Sequence, residues 1–348
     1  MRRAAIAVLA LAAVVGGCSK GTSKDSSKTV TVYMYSEYID PQLLKDFQAA
    51  TGIAVRLDVY ETTEDMMAKL RNSPGQYDVV VVSDHAIPVL AKLGQLQELE
   101  LSKIPNAGNV IERLRKPPYD PQQTYSLPYQ WGTVGLMYRK DKVPNMEATW
   151  AMVLDPSRQP GPVVLIDSMR DMMAAALAYL GHPINSTDPQ QVRAAGEVIL
   201  RAKQGKVVGF EGGVGGLAKV KAGEAYVAIV YNGDAVREAD ENEGFLLPKE
   251  GAVIWVDAMT IPAGAPNVEG AHRFINFILE PKVGARLSNY TRYATPNQAA
   301  LPHIDPADRA NPTIYPGEQE MKRLEYLRDL GAETRLYDEV WTQIKARS

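Results

Sequence analysis

The stretch Val30-Thr31-Val32-Tyr33-Met34-Tyr35-Ser36-Glu37-Tyr38 decides how this chain is read. Its opening residues, β-branched or bulky and apolar, have the composition of a strand. Aromatic rings around one carboxylate follow at once, and Asp40-Pro41 then caps and opens a helix. Leu43, Leu44 and Phe47 keep helical spacing up to Thr51-Gly52, where glycine stops the helix. Residues 53–60 alternate as a strand, and a second helix covers 63–72. Tyr77-Asp78-Val79-Val80-Val81-Val82-Ser83 is a continuous β-branched run of the kind buried in a parallel sheet. A βαβαβ order predicts a doubly wound sheet built by right-handed crossovers. Ligands of such sheets collect outside the carboxyl ends of the strands, which puts Tyr35 to Tyr38 and Asp84-His85 on one edge. Rings attract an organic cation through their quadrupoles and a carboxylate attracts it by charge. Half-buried tyrosines packing a strand end beside a solvated Glu37 would give the same pattern, so the rest of the chain has to choose.

At 348 residues the chain exceeds what one core usually supports, so two domains are expected. With 45% apolar and 23% charged residues it has the composition of a soluble globular protein. A net charge of −3 with no basic stripe argues against a nucleic-acid partner. At the N-terminus, Met1-Arg2-Arg3 precedes an apolar run over 4–15 that is too short to span a bilayer. Val15-Gly16-Gly17-Cys18 then resembles a bacterial lipobox, so residues 1–17 are expected to be a lipoprotein signal peptide and Cys18 the lipidation site. Cys18 is the single cysteine, which removes a disulfide framework or thiol catalysis from the folded part. Residues 18–28, rich in Ser, Lys and Gly, read as a flexible tether. The folded part would begin at Thr29, in the periplasm or at the outer face of the cell membrane, and the membrane would be touched only through the anchor.

Further along, Pro117-Pro118-Tyr119-Asp120-Pro121 introduces the middle of the chain. A strand is expected over 134–138, with a crossover between domains near Gln130-Trp131-Gly132. Val163-Val164-Leu165-Ile166 is a strand whose end, Asp167-Ser168, is expected to cap a Met- and Ala-rich helix. A helix follows over 189–204, then a strand over 225–231, with Asn232-Gly233-Asp234 turning into another helix. Val253-Ile254-Trp255-Val256-Asp257 reads as a strand that places Trp255 and Asp257 on one face. Residues 259–262 return the chain to the first domain. Helices are expected over 268–279 and 283–287, and two amphipathic ones over 319–330 and 336–345. Gly213-Val214-Gly215-Gly216-Leu217-Ala218 fits a dinucleotide loop, with Asp234 at a ribose-binding distance in sequence. It lies mid-chain after only a short strand-like run, so a glycine-rich loop before a short helix explains it better and no cofactor is expected. The histidines show no metal-ligand spacing. Tyr290 and Tyr293 leave a ferric-phenolate site as an alternative. A serine-hydrolase elbow and a Walker loop are absent, and no enzyme activity is expected.

Several motifs occur in the order found in one family. Tyr35-Ser36-Glu37-Tyr38-Ile39-Asp40, the strand ending at Ser83, and Ser126-Leu127-Pro128-Tyr129-Gln130-Trp131-Gly132-Thr133 carry the likeness in the first half. Pro248-Lys249-Glu250-Gly251, Trp255-Val256-Asp257 and Tyr293-Ala294-Thr295-Pro296-Asn297 carry it in the second. Through these, residues 29–348 resemble the extracytoplasmic spermidine/putrescine-binding proteins of bacterial ABC transporters. The resemblance implies an α/β, two-lobed periplasmic-binding-protein (Venus-flytrap) fold, each lobe a doubly wound, mostly parallel sheet, with the ligand in the interlobe cleft. It places the lobes at 29–132 with 257–302 and at 133–256 with 303–348. It also implies a monomer that takes a polyamine and hands it to an ABC permease. A ligand sensor, or a binder of another amine or guanidino compound, would share the fold.

Carried over position by position, the family's first cluster, Trp-Thr-Glu-Tyr, is Tyr35, Ser36, Glu37 and Tyr38 here. The serine after the third strand is Ser83, and the aromatic two positions on is His85. The acidic pair opening the middle helix is Ser168 and Asp171, one carboxylate fewer. A Trp before Asn-Gly is Tyr231, and Trp255, Asp257 and Tyr293 match unchanged. A glutamine in the family's C-terminal helix is Leu327. Asp84 and Ser168 are added as candidates at the edge of this set. The carboxylates would replace ammonium hydration that burial removes. The rings would line the methylene segments and add cation–π attraction of ~0.5–2 kcal/mol each.

Overall fold

Residues 28–212 and 214–346 are described by a computed structural model. The expected signal peptide over 1–17, the expected lipidation site Cys18 and residues 18–27 of the expected tether lie outside them. The opening segment folds as read: β1 (Thr29–Tyr35), α1 (Pro41–Thr51), β2 (Ala54–Tyr60), α2 (Thr63–Asn72) and β3 (Val79–Ser83) follow in order. Both β2 and β3 lie parallel to β1. The Asp40 carboxylate accepts the Gln42 amide at 2.9 Å, and Gly52 ends α1 at φ 73°, a left-handed conformation that glycine adopts without a Cβ clash.

After α3 (Ile87–Lys92) and the short β4 (Leu96–Gln97), the proline-rich passage curls around the buried Asp120. Its carboxylate accepts the amides of Thr124, Tyr125 and Ser126 and the Ser126 hydroxyl at 2.8–3.0 Å. This launches β5 (Ser126–Arg139), much longer than the strand expected over 134–138. Pro128 hid the first half, because proline cannot donate to a ladder. The strand tolerates it where pairing with its neighbour shifts register, between Asp257 and Ala258.

A second wound unit comprises α4 (Ala151–Leu154), β6 (Val163–Ile166), α5 (Met169–Tyr179), α6 (Pro189–Lys203), β7 (Val207–Glu211), α7 (Gly215–Lys221), β8 (Val227–Tyr231) and α8 (Asn232–Glu238). β9 (Glu243–Leu246) pairs with β5, and β10 (Ala252–Pro262) runs back to β3. The chain ends with α9 (Val268–Ile278), α10 (Pro281–Thr291), α11 (Pro306–Arg309), α12 (Glu318–Met321), β11 (Leu324–Glu325) and α13 (Thr334–Ala346). Val214 leads into the short α7, and Gly213, of the glycine-rich stretch expected before a short helix, lies outside the described residues.

The sheet order is β2-β1-β3-β10-β5-β8-β6-β7, with β4 and β11 on β10 and β9 on β5. The outer strands β2, β1 and β3 at one end are mutually parallel, as are β8, β6 and β7 at the other. Between them β5 and β10 run antiparallel to each other and to their outer neighbours. β5 bonds β10 up to Thr133 and β8 from Val134 onward, so the strand changes partner just after Gln130-Trp131-Gly132. Gly132 is required there by close approach: a Cβ would lie 2.4 Å from Asn232 Oδ1 and 2.5 Å from Trp255 Cζ2.

Two expectations are corrected. Neither Asp167 nor Ser168 caps α5 through its side chain: Asp167 pairs with Lys345 at 2.8 Å and the Ser168 hydroxyl donates to Asp171 at 2.7 Å. The Ser168 oxygen accepts no amide of α5, so its hydroxyl supports the buried acid and not the helix end. The amphipathic helix expected over 319–330 is only α12; the chain then extends into β11, where Leu324 and Glu325 pair with Ala252 and Val253 of β10. Pairing with a sheet edge left open beside Gly251 overrides the weak helical pattern.

Candidate functional site

The carboxyl ends of β1 and β3 face those of β6 and β8 across a cleft of about 800 Å³. This is the edge where the fold leaves strand ends and helix starts uncovered. Every residue proposed from the sequence to bind the amine lines it: Tyr35, Ser36, Glu37, Tyr38, Ser83, Asp84, His85, Ser168, Asp171, Tyr231, Trp255, Asp257 and Tyr293. Leu327 lines it too, from the extended segment after β11 rather than from a helix.

Rings form a connected wall. Tyr231 meets Trp255 edge-on at 6.0 Å between centroids, Trp255 meets Tyr293 at 4.9 Å, Tyr293 meets Tyr38 at 5.7 Å, and Tyr38 meets Tyr35 at 5.9 Å. Edge-to-face pairs of this kind fix ring orientation. Tyr293 is set by mutual backbone bonds of 3.1 Å between Ala294 and Trp131. Its ring covers Gly233, where a Cβ would come within 2.2 Å, so the glycine of Asn232-Gly233 makes room for an aromatic face.

Carboxylates are set into this wall, each held by a tyrosine hydroxyl. Tyr38 donates to Asp257 Oδ2 at 2.8 Å, and Ser83 donates to Oδ1 at 2.9 Å. Ser83 has one proton to give, so Tyr35, 2.9 Å away, donates to Ser83 and accepts from Thr63. This makes a cooperative chain of hydroxyls ending on the acid. Tyr231 donates to Asp171 Oδ2 at 2.9 Å, joining Ser168 on the same oxygen. Tyr293 donates to Asp234 Oδ2 at 2.8 Å. Burial raises the pKa of all three acids, and that of Asp257 reaches about 7 despite the hydroxyl bonds, with the nearby Asp84 adding to the rise. Among the described residues no Lys, Arg or His forms an ion pair with Asp257 or Asp171, whereas Arg237 reaches Asp234 at 3.0 Å.

The remaining candidates are placed differently. Asp84 is buried, and its oxygens accept the amides of Val256 and His85 at 3.2 and 2.7 Å, so it fixes the β3–β10 junction. Glu37 stands at the mouth with φ 54° and a side chain 69% exposed. A left-handed conformation is uncommon for a residue with a Cβ and marks this turn as held by its surroundings. Tyr290 is exposed and lies outside the cleft lining, so it does not converge with Tyr293 on a phenolate site. Sequence reasoning missed Asp234 and Arg237. Asp234 lies one helical turn beyond Tyr231, and that spacing on the start of α8 was the available signal.

Comparison with known proteins places this geometry. Residues 42–313 match the family model of the bacterial extracellular solute-binding proteins. The chain is 34% identical over 343 residues to the spermidine/putrescine-binding periplasmic protein of Escherichia coli, covering 97% of each. It is 34% identical over 360 residues to the putrescine-binding periplasmic protein SpuD of Pseudomonas aeruginosa, covering 97% of this chain and 96% of that one. Among solved structures, the TpPotD lipoprotein of Treponema pallidum superposes with a TM-score of 0.82 at 29% identity, covering 92% of this chain and all of that one. Full-length relatives, a matching fold and one cleft that gathers the shared motif residues agree: this chain belongs to the bacterial extracellular solute-binding proteins.

Proposed function

We propose that the chain is a polyamine receptor of an ABC importer, capturing putrescine or spermidine in the cleft and presenting it to the permease. The observation that carries this reading is the pair of buried carboxylates, Asp257 and Asp171, set in an aromatic wall with no side-chain cation on either among the described residues. Unpaired buried charge is costly, and a ligand with ammonium ends on an apolar chain answers both features together. Relatives named for spermidine and putrescine support the class. The ring faces suit methylene segments, and their quadrupoles suit the ammoniums.

The lobes would divide at 132/133, one residue before β5 changes partner, and at 256/257, where β10 meets β3, and closure about these strands would present the loaded form. Anchoring through a lipid on Cys18 rests on Val15-Gly16-Gly17-Cys18. Among the described residues no helix is long and apolar enough to cross a membrane. The receptor would act as a monomer. Calorimetric titration of the purified full-length protein in mild detergent, with putrescine, spermidine and agmatine, tests the assignment. One-to-one binding of at least one amine is expected, and no heat with any of them at millimolar concentration would sink it.

A further inference from the structure

The cleft repeats one device at three places: a carboxylate in the aromatic wall with a tyrosine hydroxyl on its Oδ2. The stations are Asp257 with Tyr38, Asp171 with Tyr231 and Asp234 with Tyr293, at 2.8, 2.9 and 2.8 Å. Three carboxylate stations suit a ligand with three cationic groups. The third is already occupied. From the last turn of α8, the Arg237 guanidinium contacts Asp234 Oδ1 at 3.0 Å through Nη1 and reaches across the cleft to Glu37 Oε2 at 3.5 Å through Nη2. Its side chain is 17% exposed, and that of Asp234 14%. Arg237 also contacts Glu238 through Nε at 3.2 Å, which turns the fork toward the cleft from an anchored stem.

We infer that Arg237 is a specificity-determining residue, supplying the third cation from the protein itself so that the cleft takes an aliphatic diamine in preference to a triamine. A guanidinium remains charged throughout the physiological range and presents a planar fork to its two carboxylates. A third ligand ammonium would have to displace it from Asp234 and Glu37, or lie beside it as a like charge in a partly desolvated space. A diamine needs only Asp257 and Asp171, the stations with no ion-paired Lys, Arg or His among the described residues. Selectivity thus comes as much from a repulsive element as from attractive ones. This inference rests on the polyamine-receptor reading above.

Competition between amines tests it on the purified full-length protein. Wild type should bind putrescine at least about tenfold more tightly than spermidine, a preference of the size one lost charge pairing gives. Arg237→Gln should raise the spermidine-to-putrescine affinity ratio about tenfold or more, and Arg237→Lys, which keeps the charge, should leave it near the wild-type value. Cadaverine, a longer diamine, separates charge from room: its ratio to putrescine should move little in Arg237→Gln. Tighter binding of spermidine by wild type overturns the inference without needing any variant. An unchanged ratio in a folded Arg237→Gln protein also overturns it, as does a loss shared equally by all amines, which would make Arg237 a closure latch. If wild type binds none of the amines, the receptor reading itself falls first, and a result of that kind is distinct from a wrong preference.

Discussion

Asp257→Asn should lower diamine affinity by about 2–4 kcal/mol, roughly 30- to 1000-fold, because it strips the charge from a buried partner of a ligand ammonium. The asparagine has nearly the shape of the acid and keeps one acceptor for Tyr38 or Ser83, so the loss reports charge rather than collapse of the wall. Stability should move the other way. Burial holds the Asp257 pKa at about 7, well above the ~3.9 of an unfolded chain. A group raised on folding contributes stability that is fully present below the unfolded pKa and is lost as pH rises through the folded one. Above about pH 7 the ionised Asp257 therefore destabilises the ligand-free protein, by up to about 4 kcal/mol on the same scale. Melting curves at pH 8 should show the ligand-free variant at or above the wild type, while titration shows weaker binding. A variant that melts far lower and still binds at wild-type affinity would assign Asp257 a structural role.

Acid should weaken binding steeply. The ligand ammoniums stay protonated through neutral pH, as a lysine does, so the titrating partner is the protein. Binding needs Asp257 ionised, and with its pKa near 7 the affinity should fall about tenfold per unit once pH drops below 7, or about 100-fold between pH 8 and pH 5. Asp171, raised by burial as well, deepens the fall at the acid end. Calorimetry across this range should also detect proton release on binding near pH 7. Asp257→Asn should flatten the profile between pH 6 and 8, and a profile equally steep in wild type and variant would remove Asp257 from the site.

Most of the fold was legible because local signals and tertiary demands agree in it. Asp40-Pro41, Gly52 and the run ending at Ser83 bound the first wound unit within a residue or two of where they were read. The signal failed where a tertiary feature overrides a local rule. Pro128 masks half of β5 because a register shift in the β5–β10 ladder accommodates it, and nothing local announces that shift. Residues 322–330 look helical, yet an open edge of β10 draws Leu324 and Glu325 into the sheet.

The candidate site was legible by motif, since every proposed lining residue returns to one cleft. What the chain order does not reveal is which acids already hold a cation. Asp234 and Arg237 read locally as a helix start and a helical ion pair, three residues apart. The Tyr293 hydroxyl on Asp234 and the approach of Glu37 from the β1–α1 turn make them part of the cleft. Asp84, read as an additional ligand acid, lines the cleft and also accepts the backbone amides of His85 and Val256, a tie that chain order does not reveal.

A crystal structure of the protein with putrescine bound tests the cation-station model most directly. The expected result is one diamine in the cleft, its nitrogens within about 3 Å of the Asp257 and Asp171 carboxylates, its methylenes against Trp255 and Tyr293, and Arg237 still on Asp234. A diamine bound outside the cleft, or inside it with neither nitrogen on Asp257 or Asp171, would contradict it.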